Sequence, residues 1–184
     1  TNRGEIVDKN GVGLATNKTG YSLQFDYAYM TSSSENGTIL RLINLLEKRK
    51  EKWLDTLPII MDKNGDYAFK ANSDSKIKYL KSKSFLGVNS YADANTCMQN
   101  LIEKYFATTK ENSNPTAGYS KADLRKIVSV RYAMTLQGFS LNTPYTFAED
   151  VSRETVEIVS ENSDSLPGVT VQVTTTRENP NGTL

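Results

Sequence analysis

The stretch that sets the fold is the first seventeen residues, Thr1-Asn2-Arg3-Gly4-Glu5-Ile6-Val7-Asp8-Lys9-Asn10-Gly11-Val12-Gly13-Leu14-Ala15-Thr16-Asn17. Ile6 and Val7 favour a strand, and Asn10-Gly11 is a pair that tolerates the positive φ angles of a tight turn. The apolar pattern resumes at Leu14. The chain is therefore predicted to begin with a β-hairpin.

Two further segments have the alternation of a β-strand. Apolar and polar residues alternate strictly over residues 21–29, which predicts a strand with one buried face. Near the end of the chain, Pro167-Gly168 predicts a turn, and valines at every second position then predict a long strand over residues 169–177. Residues 144–147 are also expected to be extended.

The middle of the chain has helical spacing. Four apolar residues recur on one helix face and two more extend the stripe, namely Ile39, Leu42, Ile43, Leu46, Trp53 and Leu57. These residues predict an amphipathic helix that ends before Pro58. Its charged face, residues 47–52, mixes glutamate with lysine and arginine, so we expect an ordinary solvated face.

Capping residues mark three later helices. Ser90 with Asp93 predicts one helix start, and Ser120 with Asp123 predicts another, which ends at Gly138. Ser152 is placed to cap a third, short helix. Because helices and strands mix without a regular strand–helix–strand rhythm, the sequence predicts an α+β fold.

Two polar segments separate these elements. The tetrapeptide Asp62-Lys63-Asn64-Gly65 repeats residues 8–11 and predicts a turn. The tract 70–84 is rich in lysine, serine and asparagine, and we expect a loop with a short helix at most. Residues 62–66 also begin like a calcium-binding loop, but Tyr67 replaces the glycine that such a loop needs, so a calcium site is not expected.

The composition excludes several kinds of chemistry. The chain has no histidine, so neither a Ser-His-Asp site nor a histidine-based metal site can form. Cys97 is the only cysteine, and its position in a helical pattern predicts a small core residue. The 22 basic and 21 acidic residues nearly cancel, which gives no reason to expect nucleic-acid binding. No cofactor is expected, and no apolar run approaches the roughly 18 residues of a membrane span.

Two segments resemble class B penicillin-binding proteins. Arg3-Gly4 through Asp8-Lys9-Asn10-Gly11 is similar to the start of their extracytoplasmic part. The segment from Leu166-Pro167-Gly168-Val169 to Arg177-Glu178-Asn179-Pro180-Asn181-Gly182 is similar to the region that precedes their transpeptidase domain, with Asn179 where the family has tyrosine. The residues that carry the resemblance are expected to be structural: Arg3, Gly4, Asp8, Asn10, Gly11, Pro167, Gly168, Arg177, Pro180 and Gly182.

The resemblance implies the non-catalytic pedestal, or dimerisation domain, of such a protein. Residues 1–30 and 140–184 would pair as a β-stalk, and residues 31–139 would form a helix-rich head between them. The parent would be a peptidoglycan D,D-transpeptidase of cell-wall synthesis, held at the extracytoplasmic face of the membrane by an anchor before residue 1. Its transpeptidase domain would follow residue 184, so the chain itself is expected to be soluble and to lack enzyme activity.

The three sequence patterns of the transpeptidase site do occur in the chain. Residues 73–76 fit Ser-x-x-Lys, residues 34–36 and 160–162 fit Ser-x-Asn, and residues 18–20 are Lys-Thr-Gly. We interpret them as coincidences. The Lys-Thr-Gly comes first rather than last and is expected in a turn before the strand at Tyr21, and Ser73 has no apolar helix behind it.

Three functions are compatible with the sequence. The first is a pedestal that docks a SEDS-type glycosyltransferase and morphogenesis scaffold proteins, as the resemblance implies, with self-association left open. The second is a freestanding wall-polymer-binding module, and the third is an autonomous serine acyltransferase that uses Ser73 and Lys76. Candidate partner contacts, for each of which core packing is the competing interpretation, are Tyr27, Tyr29, Trp53, Leu54, Tyr105 and Phe106.

Overall fold

The computed structural model describes residues 6–7 and 13–178. Within these residues six strands alternate irregularly with five helices, which confirms the α+β class. The strands are β1 (Ile6–Val7), β2 (Gly13–Phe25), β3 (Ile59–Met61), β4 (Tyr67–Phe69), β5 (Tyr145–Val151) and β6 (Val169–Glu178). The helices are α1 (Glu35–Lys48), α2 (Asp74–Lys81), α3 (Ala94–Tyr105), α4 (Lys121–Gln137) and α5 (Arg153–Glu161).

The chain forms two compact units. The terminal unit contains the described residues up to Thr31, residues 44–53, and the described residues from Ser140 onwards. Residues 32–43 and 54–139 form the middle unit. Helix α1 begins in the middle unit and ends in the terminal unit.

Strand β2 organises the sheet of the terminal unit. It pairs antiparallel with β1, β5 and β6. The β1 pairing joins Ile6 to Ala15 and Val7 to Gly13, which confirms the two strands of the predicted hairpin, whereas its turn at residues 8–12 lies outside the described residues. The β6 pairing runs without a register shift from Thr16 opposite Glu178 to Phe25 opposite Val169. The predicted pairing of the N-terminal and C-terminal parts of the chain is therefore confirmed for residues 16–25 with 169–178.

The core of the terminal unit lies on one face of this sheet. Phe25 and Phe147 are buried and meet edge to face, with ring centroids 5.5 Å apart. Trp53 stacks on the same Phe147 ring at 5.9 Å. Segment 44–53 is also joined to the start of α5, because the backbone N–H of Ser152 donates to Glu51 Oε2 at 2.9 Å. Ser152 caps α5 as predicted, since its Oγ accepts from the backbone N–H of Thr155.

Helix α4 is the central helix of the middle unit. Its buried residues between 127 and 134 occupy nearly every side of the helix, and it packs on α3 and β3. The predicted capping box is confirmed, because Ser120 and Asp123 each accept from the other's backbone N–H. The predicted stop at Gly138 is also confirmed, with a left-handed φ of 69°.

Helix α3 supplies the facing side of this core. Cys97, Met98 and Leu101 have no exposed surface. Burial raises the pKa of the Cys97 thiol, so this residue is the core residue that the sequence predicted.

Strands β3 and β4 form a two-stranded hairpin around Asp62-Lys63-Asn64-Gly65, which confirms the predicted turn. Between residues 70 and 84 the only helix is the eight-residue α2, as expected.

Three predicted boundaries are wrong. The strand ends at Phe25 because Asp26 caps a short 3₁₀ helix, Tyr27–Tyr29, by accepting from the backbone N–H of Ala28. Helix α1 ends at Lys48 rather than before Pro58, so Trp53 and Leu57 do not extend its apolar stripe. Helix α3 is capped by Asp93 rather than by Ser90, which leaves Tyr91 outside the helix and 92% exposed.

Candidate functional site

The Ser-x-x-Lys pattern lies at the start of α2. Ser73 immediately precedes the helix, and its hydroxyl donates to the carbonyl oxygen of Ala71 at 3.4 Å. The Lys76 side chain is exposed. An activated serine needs a neighbouring base in a site that excludes water. This solvated pair lacks such a site, in agreement with the polar sequence around it.

The asparagines of both Ser-x-Asn patterns hold backbone groups in place. Asn36 Nδ2 donates to the carbonyl oxygen of Tyr105 at 2.9 Å, and its Oδ1 accepts from Arg131 Nη1 at 2.7 Å. Asn162 Nδ2 donates to the carbonyl oxygen of Ile158 at 2.8 Å, at the end of α5. Both side chains therefore have structural partners.

The Lys18-Thr19-Gly20 pattern lies inside β2, so its prediction as part of a turn is wrong. Its three residues stand opposite threonines 176, 175 and 174 of β6. A Cβ added at Gly20 would lie 3.1 Å from Thr174 Oγ1, which shows how closely the two strands approach. Backbone pairing with β6 holds this part of β2 in strand conformation, and apolar alternation, the usual sequence signal of a strand, is absent there.

The Asp62 carboxylate is used to close the β3–β4 turn. Its Oδ1 accepts from the backbone N–H groups of Asn64 at 2.8 Å and Asp66 at 2.9 Å. Gly65 completes the turn with a φ of 80°. In the part of the chain that the structure describes, no three acidic or cysteine side chains are grouped to hold a metal ion.

A polar cluster joins α4 to the segment before β3. Arg125 Nη1 donates to Asp55 Oδ2 at 2.6 Å, and Arg125 Nε donates to the carbonyl oxygen of Ile59 at 2.8 Å. Ser129 Oγ donates to Asp55 Oδ1 at 2.6 Å. These residues cannot be identified from the sequence, because 70 positions separate Asp55 from Arg125 and no short motif links them.

A second polar cluster joins α4 to the start of α1 and to the end of α3. Arg131 Nε lies 3.5 Å from Glu35 Oε1, and the Arg131 guanidinium lies over the Tyr105 ring. The Tyr105 hydroxyl is 2.6 Å from Thr135 Oγ1. Burial raises the pKa of Tyr105, and the Thr135 hydrogen bond and the Arg131 charge offset only part of that effect. This cluster orders the interior of the middle unit.

The six candidate partner contacts divide into exposed and buried residues. Tyr27 and Tyr29 are 51% and 68% exposed on the terminal unit. Trp53 and Leu54 are half-buried. Tyr105 and Phe106 are only 7% and 4% exposed, so they pack in the core of the middle unit and not on its surface.

A known family covers the whole chain. The model of the family described as "Penicillin-binding Protein dimerisation domain" matches residues 1–184. The chain belongs to this family. The dimerisation domain is a non-catalytic part of penicillin-binding proteins, in agreement with the structural use of the serine and asparagine patterns above.

Solved structures similar to this dimerisation domain include penicillin-binding protein 2B of Streptococcus pneumoniae from two strains. The chain of strain 5204 is 16% identical with a TM-score of 0.41, and that of strain R6 is 15% identical with a TM-score of 0.42. Each match covers 97% of this chain and 25% of the other, so the chain spans about a quarter of the length of those proteins. No curated protein matches the chain. Among the described residues, no helix is both long enough and apolar enough to span a membrane.

Three of the ten signature residues of the dimerisation domain can be located. Pro167 and Gly168 form the turn before β6, and Arg177 lies in β6 opposite Asn17. Gly168 has a φ of 86°, and a Cβ there would lie 2.4 Å from Met30 Cγ. Its carbonyl oxygen accepts from the backbone N–H of Asp26 at 2.7 Å. The other seven lie outside the described residues: Arg3, Gly4, Asp8, Asn10, Gly11, Pro180 and Gly182.

Proposed function

We propose that this dimerisation domain is the pedestal of a class B peptidoglycan D,D-transpeptidase. It holds a transpeptidase domain at a set height above the extracytoplasmic face of the membrane. It also docks a SEDS-type glycosyltransferase and morphogenesis scaffold proteins. Membrane attachment belongs to the parent's N-terminal anchor and acyl transfer to its transpeptidase domain.

The pairing of β2 with β6 is the observation that supports this proposal most strongly. The register joins ten consecutive residue pairs from Thr16–Glu178 to Phe25–Val169. Antiparallel backbone pairing of this length fixes the two strands side by side. A segment that enters along β2 and leaves along β6 is thereby held by a continuous hydrogen-bonded ladder, which is the mechanical property that a pedestal needs.

Exposed aromatic residues support a docking role for the terminal unit. Tyr27 and Tyr29 lie on one short 3₁₀ helix, and more than half of each side chain is exposed. Tyrosine is enriched at protein interfaces because it offers a large apolar body with a polar end. We therefore assign this 3₁₀ helix, Tyr27–Tyr29, to the docking surface.

The experiment is co-purification of the SEDS-type glycosyltransferase with the full-length parent. We expect the double variant Tyr27→Ala and Tyr29→Ala to reduce the co-purified glycosyltransferase at least about tenfold, since two interface tyrosines contribute about 1 kcal/mol or more each. Fluorescent penicillin labelling of the parent should stay unchanged, because the substitutions leave the transpeptidase site intact. Tyr91→Ala, at a tyrosine that is 92% exposed in the middle unit, is the matched control.

Three results would contradict the proposal. Equal co-purification with the double variant and the control would show that Tyr27 and Tyr29 do not belong to the docking surface. Covalent labelling of the isolated chain by fluorescent penicillin, lost in Ser73→Ala, would instead identify an acyltransferase. Retention of the isolated chain on purified sacculi would favour a wall-polymer-binding module.

A further inference from the structure

One groove of the middle unit has no role in the proposed pedestal. It has a volume of about 510 Å³ and runs between α2 and the loop that follows it. Its lining includes Ile77, Lys78, Lys81, Lys83, Val88 and Ser90. Sites that take small ligands or short peptide segments fall in the same range of volume, roughly 300–1,000 Å³.

The wall of this groove is preformed by backbone hydrogen bonds. The loop after α2 turns back on the helix, so the N–H groups of Gly87 and Val88 donate to the carbonyl oxygens of Ser82 at 2.8 Å and Lys81 at 3.0 Å. Gly87 adopts a φ of 65°, which a glycine accepts without strain. Lys81 fixes the end of this loop, because its Nζ donates to the carbonyl oxygen of Ser90 at 3.0 Å. A ligand therefore meets a wall that is already ordered.

The rim of the groove carries unbalanced positive charge. Three lysines and one aspartate line the groove, Lys78, Lys81, Lys83 and Asp74, which is a net charge of +2 in a chain whose formal net charge is +1. Lys78 and Lys83 are exposed, and neither forms an ion pair or a side-chain hydrogen bond within the described part of the chain. Asp74 is the one acidic residue that lines the groove, and it forms no ion pair with Lys78. These two ammonium groups are available to an anionic ligand.

The floor of the groove is apolar. Ile77 and Val88 are half-buried, and both contribute to the lining. A polymer of phosphates and sugars offers no aliphatic side chain to such a floor. A peptide that places one aliphatic side chain between two carboxylates matches both the floor and the rim.

We infer that this groove binds an acidic segment of a partner protein, with an aliphatic side chain against Ile77 and Val88 and carboxylates paired to Lys78 and Lys83. The inference rests on the proposed docking role and gives one docking surface a location and a partner chemistry. Lys81 is excluded from the recognition pair because its ammonium already holds the loop.

The test measures fluorescence anisotropy of a labelled synthetic hexapeptide, Glu-Asp-Leu-Val-Glu-Asp, added to the intact chain. We expect saturable binding that is lost when glutamine and asparagine replace the acidic residues. The double variant Lys78→Glu and Lys83→Glu should weaken binding about fivefold, because it removes two exposed ion pairs, each of which contributes up to about that factor. The pair Lys63→Glu and Lys110→Glu is the matched control, because it makes the same change of net charge at two exposed lysines elsewhere in the middle unit.

Two further measurements test the apolar floor and the kind of anion separately: the variant Val88→Thr and competition by inorganic polyphosphate. Val88→Thr keeps the side-chain size and should weaken peptide binding about threefold through the loss of apolar contact. The inference is overturned if the peptide does not bind or if both lysine pairs have equal effects. It is also overturned if inorganic polyphosphate binds as tightly as the peptide and Val88→Thr has no effect. Penicillin labelling of the parent and its co-purification with the glycosyltransferase are measured independently of peptide binding, so failure here is distinguishable from failure of the pedestal proposal.

Discussion

At the scale of single residues, two glycines with nearly the same backbone angle have different reasons to be glycine. Gly168 has a φ of 86° and Gly65 a φ of 80°. A Cβ at Gly168 would lie 2.4 Å from Met30 Cγ and 3.2 Å from the carbonyl oxygen of Asp26, whereas a Cβ at Gly65 would have nothing within 4 Å. Conformation alone requires glycine at position 65, while conformation and close packing together require it at position 168.

This difference predicts unequal costs for the same substitution. Gly65→Ala should lower the free energy of unfolding by about 1 kcal/mol, the cost of a left-handed alanine. Gly168→Ala should lower it by about 2–4 kcal/mol, because the methyl group also forces Met30 and the backbone apart. Urea unfolding of both variants measures the difference. Equal costs would mean that the terminal unit relaxes around position 168 without loss.

At the scale of elements, α1 and α4 end in the same way with different residues. After α4, the N–H of Gly138 donates to the carbonyl oxygen of Thr135 and the next N–H donates to Met134. After α1, the N–H of Lys50 donates to Glu47 and the next N–H donates to Leu46. Both are Schellman motifs with a left-handed residue after the helix, glycine in α4 and lysine in α1, where Lys50 has a φ of 58°.

Lys50→Gly should therefore stabilise the chain by about 0.5–1 kcal/mol, because glycine adopts the left-handed angle without the steric cost that lysine carries. The reciprocal variant Gly138→Ala should destabilise it by about 1 kcal/mol for the same reason. Thermal unfolding followed by circular dichroism compares the two. A stabilising effect of both, or of neither, would contradict this account of the helix ends.

The same pair of helices explains what could be predicted from the sequence. Glycine and the Ser120–Asp123 capping box are local signals, and both ends of α4 were predicted correctly. The end of α1 was not, because a lysine at the left-handed position carries no such signal. Strands β3 and β4 were not predicted either, since three residues are too few for alternation to be recognised. The Asp55–Arg125 cluster depends on contacts between distant parts of the chain, which a single sequence does not reveal.

At the scale of the whole molecule, the chain contains ten tyrosines. Burial raises the pKa of three of them above the ordinary value of 10.0, namely Tyr67, Tyr105 and Tyr132, all in the middle unit. A raised folded-state pKa contributes stability that is fully present below pH 10.0 and is lost as the pH rises through the folded-state value. Alkaline conditions should therefore destabilise the middle unit.

Tyr132→Phe tests this prediction at a side chain that is only 2% exposed. We expect the free energy of unfolding to fall less steeply above pH 10 in the variant than in the unmodified chain, because one ionisable group has been removed. Denaturant unfolding at a series of alkaline pH values measures the slope. Tyr29→Phe, at a 68% exposed position, is the matched control. Identical slopes for the unmodified chain and Tyr132→Phe would exclude Tyr132 as a source of the pH dependence.

The antiparallel ladder between β2 and β6 also sets how the chain responds to pulling. Residues 16 and 178 stand opposite each other at one end of the ladder, and Phe25 and Val169 at the other. Tension that separates residues 16 and 178 loads one hydrogen-bonded pair at a time, so the strands unzip in sequence instead of shearing together. Unzipping needs a low force, begins at the Thr16–Glu178 pair, and meets its greatest resistance where Phe25 is buried and Gly168 is bonded to Asp26.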